Sequence, residues 1–177
     1  MRLREWRFSA LALGLLALGA CALARMAPAA APDSSAEAVQ AVSGKALKEA
    51  LAKHKGKAVL LNLWATWCPP CVEEFPALVK LHEKYRDQGL MIIAASVDEP
   101  QDRDEVVAFI RGQKAAFPVY IRSGGSIDGF VGAIDKGWGG SVPTTYLYDR
   151  TGKRHGKAIV GSRSLAQFEA VVKPLLK

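Results

Sequence analysis

The sequence predicts an α/β fold, a central mixed β-sheet flanked by helices, and three observations carry that expectation. Nearly continuous apolar runs at 58–64, 90–97 and 118–121 read as strands buried on both faces. Between them lie stretches whose apolar residues recur at helical spacing, as covering helices require. Finally, Asp149-Arg150-Thr151-Gly152-Lys153 is a turn between two short strand patterns, 145–148 and 157–160, so the sheet also contains an antiparallel hairpin.

Taken in order, residues 45–54 form a short helix, with Ala46, Leu47, Ala50 and Leu51 on one face. The strand 58–64 turns at Thr66 and Trp67 and gives way to a helix starting at or near Cys68. Phe75, Leu78, Val79 and Tyr85 mark the buried stripe of that helix as far as Arg86. The run 90–97 is a strand broken only by Ser96. The segment 102–114 is a helix carrying Val106, Val107, Phe109 and Ile110, with acids in its first turn, where the macrodipole favours them. Ser164 caps a closing helix with Leu165, Phe168, Val171, Val172 and Leu175 at helical spacing. Residues 45–177 suit one domain with a single core.

The first 44 residues read differently. Arg2, Arg4 and Arg7 form a basic start, Phe8 to Ala20 an apolar segment, and Leu18-Gly19-Ala20-Cys21 places small residues before a cysteine. This resembles a bacterial lipobox, with 1–20 as signal peptide and Cys21 as the lipidated first residue. The competing reading is a signal anchor over residues 8–24, a length marginal for a membrane span. Either one delivers the domain to the periplasmic side of a membrane in the bacterial cell envelope. Residues 21–44, rich in Ala and Pro, read as a tether. The chain has three cysteines, one for the lipid and two for a redox pair. Its net charge is +7, and removing 1–20 takes away three Arg and one Glu, leaving +5. The Lys and Arg residues are interleaved with Asp and Glu and build no basic, aromatic-studded stripe, which argues against nucleic acid as a partner.

The chemistry concentrates in Trp64-Ala65-Thr66-Trp67-Cys68-Pro69-Pro70-Cys71. At a helix N-terminus Cys68 meets unpaired N–H groups and the positive end of the macrodipole, which stabilise a thiolate. Pro69 and Pro70 fall in the first turn, where a missing N–H costs nothing. Cys71, one turn deeper, can form and break a disulfide with Cys68. A lone CxxC also occurs as half a zinc site or as a static bridge, but so short a loop constrains little of the unfolded chain. Cys68 is expected to be the more exposed, attacking sulfur and Cys71 the resolving one. Glu74, three residues after Cys71 on the same helical face, is positioned to take the Cys71 proton; its plain alternative is a solvated carboxylate like Glu73. Trp67 is expected to cover the pair and Trp64 to belong to the core. His54, His82 and His155, scattered among charged residues, read as surface histidines. No metal site and no cofactor beyond the Cys68–Cys71 disulfide is expected.

Leu61-Asn62-Leu63-Trp64-Ala65-Thr66-Trp67-Cys68-Pro69-Pro70-Cys71, then Glu74-Phe75-Pro76, then Ser141-Val142-Pro143-Thr144-Thr145 resemble the TlpA/ResA group of membrane-tethered, thioredoxin-like thiol–disulfide reductases. The resemblance spans about 45–177 and implies a thioredoxin-like fold. It also implies a protein-disulfide reductase working outside the cytoplasm, with electrons from a DsbD/CcdA-type membrane donor. Substrates in such families include apocytochrome c, in cytochrome c biogenesis, and copper-site assembly proteins. Relatives carry a glutamate where Glu74 stands, while thioredoxins use an aspartate on the preceding strand, where this chain has Asn62. Val142-Pro143 resembles the cis-proline loop that lies opposite the cysteines and pairs with substrate backbone. Trp138, just before it, either lines the substrate groove or simply packs. One departure is visible: many relatives open with a β-hairpin, whereas 45–54 here is a helix. Two other readings remain: a peroxiredoxin-like peroxidase, which would want an arginine beside the sulfur, and a non-enzymatic Cu(I)-handling lipoprotein, which would want a histidine or methionine near the cysteines.

Overall fold

The computed structural model describes residues 39–177. Its elements follow as β1 (Val39–Val42), α1 (Gly44–Ala52), β2 (Ala58–Trp64), α2 (Pro69–Tyr85), β3 (Leu90–Ser96), α3 (Arg103–Gln113), β4 (Val119–Arg122), α4 (Ile127–Gly132), β5 (Thr144–Tyr148), β6 (Arg154–Val160) and α5 (Leu165–Val172). The signal segment, Cys21 and most of the expected tether lie outside the described residues.

The six strands form one mixed sheet in the order β1-β4-β3-β2-β5-β6. β1, β4, β3 and β2 run parallel, while β5 is antiparallel to both β2 and β6. β2 is buried along its whole length and sits between β3 and β5, as its nearly continuous apolar sequence demands. The chain crosses the sheet one way from β2 to β4 and the other way from β1 to β2 and from β4 to β5. With right-handed crossovers, that reversal requires two helical layers. Accordingly α2 packs on α3 and α5, and α1 packs on α4. The second contact is close: a Cβ at Gly44 would stand 2.2 Å from the Phe130 carbonyl oxygen, so the first residue of α1 must be glycine.

Core packing under α2 is aromatic. Trp64, Phe75 and Phe109 form a ring cluster with centroids 4.8–5.1 Å apart, and Phe117 joins it at 5.8 Å from Phe75. Trp64 is thus a core residue, as expected. α5 opens on a full capping box between Ser164 and Gln167.

Two expectations need correction, and one element was not foreseen. The folded part begins earlier than residue 45: Val39–Val42, assigned to the tether, pairs in parallel with β4 as an edge strand and buries Val39. His82 is not a surface residue. It is 7% exposed, its ring meets Phe117 edge-on at 5.4 Å, and burial lowers its pKa. Helix α4 had no counterpart in the sequence reading, because its six residues hold only two buried apolar anchors, Phe130 and Val131.

Candidate active site

The two cysteines sit where β2 ends and α2 begins. Cys68 is the N-cap residue of α2, in extended conformation, with Pro69 and Pro70 filling the first turn. The cap has no side-chain hydrogen bond, which leaves the helix N-terminus to act on the sulfur. Cys68 and Cys71 are joined as a disulfide with Cα atoms 5.3 Å apart. Cys68 is 4% exposed and Cys71 1%, so the order of accessibility is as expected but the pair is far more enclosed than an exposed nucleophile suggests. Trp67, at 59% exposure, is the large apolar surface beside it.

The Val142–Pro143 peptide bond is cis, and the Val142 carbonyl oxygen lies 3.6 Å from Cys68 Sγ. β5 begins immediately afterwards, so its pairing with β2 fixes this loop against the cysteines. Trp138 is half-buried against the core, and its Nε1 donates to the Ser141 carbonyl at 3.0 Å, bracing the approach to Val142. It also lines a shallow depression of about 450 Å³ with Gly139 and Gly140. Packing and surface roles therefore coexist in this one side chain.

Glu74 is not a solvated carboxylate. It is 3% exposed and held at both oxygens. Oε1 accepts from Asn62 Nδ2 at 2.8 Å, and Oε2 accepts from the Arg163 backbone N–H at 2.7 Å. Asn62, the one polar residue in β2, also donates to Thr145 Oγ1 at 3.1 Å, while its Oδ1 has no partner. Burial pushes the Glu74 pKa up to about 6, against the opposing pull of the Arg163 and Asn62 donors and the Arg163 charge. A carboxyl group poised near neutrality, one turn beyond Cys71 on the same helix, is suited to hold and release a proton.

One supporting group escaped the sequence reading. Asp98, fully buried just beyond β3, accepts from the Thr66 backbone N–H at 3.1 Å, from the Thr66 hydroxyl at 2.6 Å, and from the Ser96 hydroxyl. It pins the turn that leads into Trp67 and Cys68. Next to it the buried Arg122 guanidinium donates to the Val97 and Gly125 carbonyls and pairs with Glu99. An acid inside Ser-Val-Asp-Glu was the available signal, but nothing local reveals that its partner is Thr66, 32 residues away.

Comparison with known proteins agrees with this arrangement. The profile of the AhpC/TSA family matches residues 29–153. The thiol-disulfide oxidoreductase ResA of Bacillus anthracis is 37% identical over 121 residues, covering 68% of this chain and 65% of that protein. The thioredoxin-like protein YneN of Bacillus subtilis is 36% identical over 122 residues, covering 69% and 65%. The chain thus spans about 65% of the length of these relatives. Among solved structures, a thiol:disulfide interchange protein of the thioredoxin family from Chlorobium tepidum superposes with a TM-score of 0.61 at 36% identity, covering 71% of this chain and 84% of that one.

Proposed function

The chain belongs to the AhpC/TSA family, in its TlpA/ResA-like group, and from that premise we propose that it is a thiol–disulfide oxidoreductase that reduces protein disulfides. The observation that carries this reading is the Cys68–Cys71 pair at the N-terminus of α2, with Glu74 enclosed one turn further on.

In the reduced protein the Cys68 thiolate attacks one sulfur of a substrate disulfide. A Cys68–substrate bond forms, and the other substrate sulfur leaves as a thiolate and is protonated. Cys71 then gives its proton to the Glu74 carboxylate and attacks Cys68 Sγ. The mixed disulfide breaks, the Cys68–Cys71 disulfide forms, and the second substrate thiol is released. Two electrons have passed to the substrate, so an external dithiol donor must restore the pair. Val142 offers backbone for an extended substrate segment, with Trp67 as the adjoining apolar surface.

Substituting each cysteine tests the assignment. Cys71→Ser is expected to accumulate mixed disulfides with protein substrates, while Cys68→Ser is expected to trap none. Trapping by Cys68→Ser alone would reverse the roles.

The envelope location rests on Leu18-Gly19-Ala20-Cys21. On this reading the mature protein is anchored by lipid at Cys21 on the periplasmic side, and a DsbD/CcdA-type membrane protein supplies electrons. Apocytochrome c or copper-site assembly proteins are the substrates that the family likeness suggests. Intact-mass measurement of the membrane-extracted protein, with an acylated Cys21 at its N-terminus as the expected result, tests the anchor. A peroxidase role has less support. Arg163, the arginine at this site, directs its guanidinium to the Val160, Gly161 and Ser162 carbonyls, and Cys68 Sγ faces the Val142 carbonyl. An insulin-reduction assay beside a Cu(I) titration separates the reductase from a metal-handling protein.

A further inference from the structure

The segment between β6 and α5 touches two parts of the site at once. The Gly161 backbone N–H donates to the Pro143 carbonyl at 2.9 Å, and the Arg163 backbone N–H donates to Glu74 Oε2 at 2.7 Å. Gly161 stands at φ +86°, a conformation that a side chain would strain. The Arg163 side chain then folds back on its own segment. Nη1 donates to the Gly161 carbonyl at 3.2 Å and to the Ser162 carbonyl at 2.8 Å, and Nη2 donates to the Val160 carbonyl at 3.2 Å. Three consecutive carbonyls on one planar fork fix the curl of the loop, a task for which a guanidinium suits and an ammonium does not. Ser164 follows at once and caps α5, so the far end of the loop is anchored as well.

We propose that Arg163 is a positioning residue: by clamping the 160–162 carbonyls it aims its own backbone N–H at Glu74, and so sets the pH at which Glu74 can take the Cys71 proton. The inference rests on the reductase reading for its consequence in catalysis, but the link between Arg163 and Glu74 stands on geometry alone. The groups that face Glu74 are few. Asn62 on β2 supplies a neutral donor, backed by Thr145 on β5, and the loop supplies the Arg163 N–H. Among the described residues the Arg163 guanidinium is the charge that acts on Glu74, and Glu73 on the same helix is exposed. Charge and clamp therefore work in the same direction, both favouring the carboxylate.

Two variants separate them. Arg163→Ala removes both charge and clamp. Arg163→Lys keeps the charge but cannot span three carbonyls. The primary readout is the Glu74 side-chain titration, followed by carboxyl-carbon NMR in the oxidised protein with Glu74→Gln to assign the signal. The second is the pH profile of mixed-disulfide resolution, with thermal melting to establish that each variant is folded. In Arg163→Ala the Glu74 midpoint is expected to rise by about one pH unit, since hydrogen bonds to the carboxylate and a nearby positive charge both favour its ionised form. Arg163→Lys is expected to recover less than half of that rise. In a Glu74→Gln background, Arg163→Ala is expected to leave the shape of the pH profile unaltered. An unmoved Glu74 titration in folded Arg163→Ala overturns the proposal. So does full recovery by Arg163→Lys, which would mean that charge alone matters. If the titration shifts while Glu74→Gln leaves resolution untouched, the positioning inference stands and the catalytic reading of Glu74 fails.

Discussion

Asn62 Nδ2 meets Glu74 Oε1 at 2.8 Å, joining the middle of β2 to the second turn of α2. The strand position that is polar in this otherwise apolar strand is therefore not spare. It holds the carboxylate that the helix brings in, and its own Oδ1 is left without a partner. Rotating the amide would present that oxygen to Glu74. A protonated Glu74 could then donate where an ionised one accepts, so the pair can serve both protonation states.

Glu74→Gln should separate stability from turnover. The Glu74 pKa is raised from 4.5 to about 6, so the folded state binds the proton more tightly than the unfolded chain. The stability that this proton confers is fully present below about pH 4.5 and is lost as pH rises through about 6. Above that, ionised Glu74 destabilises the fold by about 1–2 kcal/mol. Glu74→Gln is therefore expected to melt higher than the parent at pH 8, with the difference closing near pH 4. Resolution of the mixed disulfide should nevertheless slow by roughly 10²-fold or more where proton transfer limits the rate. Glu73→Gln, on the exposed face, is the control. Equal and small effects from the two substitutions would make Glu74 structural only.

Asp98→Ala tests the turn ahead of Cys68. It leaves the Thr66 N–H, the Thr66 hydroxyl and the Ser96 hydroxyl without their acceptor in a buried place. A loss of about 3 kcal/mol is expected by chemical denaturation, with faster alkylation of the reduced Cys68 as its lead-in loosens. Asp98→Asn, which keeps one acceptor oxygen, should lose less. A change within about 0.5 kcal/mol would mean that these hydrogen bonds do not hold the turn in place.

Trp67→Ala addresses recognition. Because the indole is 59% exposed, its removal should alter stability by no more than about 0.5 kcal/mol. Reduction of a protein disulfide should fall several-fold, while reduction of glutathione disulfide, which needs little docking surface, should hold. Equal effects on both substrates would locate the docking surface elsewhere.

The elements that were legible in the sequence are those whose cause is local. β2 declared itself by a nearly continuous apolar run, α2 by prolines in its first turn after Cys68, and α5 by Ser164 ahead of apolar residues at helical spacing. β1 was not legible, because Val39-Gln40-Ala41-Val42 buries fully only Val39 and follows an Ala-rich stretch. The burial of His82 depends on Phe117, which tertiary packing alone brings to it. At the site, Cys68, Cys71 and Glu74 could be read from spacing within one helix. What tunes Glu74 could not, since Arg163 is 89 residues away and acts through its backbone N–H, which has no side-chain signature.

The central claim, a reductase rather than an oxidant, is tested most directly by the equilibrium reduction potential of the Cys68–Cys71 pair at pH 7. No histidine separates the cysteines, and the buried Glu74, one turn beyond Cys71, disfavours a second negative charge nearby. The reduced thiolate, although helped by the helix N-terminus, is therefore less favoured than in a strong oxidant. Dithiol potentials run from about −120 mV for the oxidant DsbA to about −270 mV for thioredoxin, a span of about 7 kcal/mol. The expected value lies nearer the thioredoxin end. A potential near about −120 mV would contradict the account and make the pair a donor of disulfides.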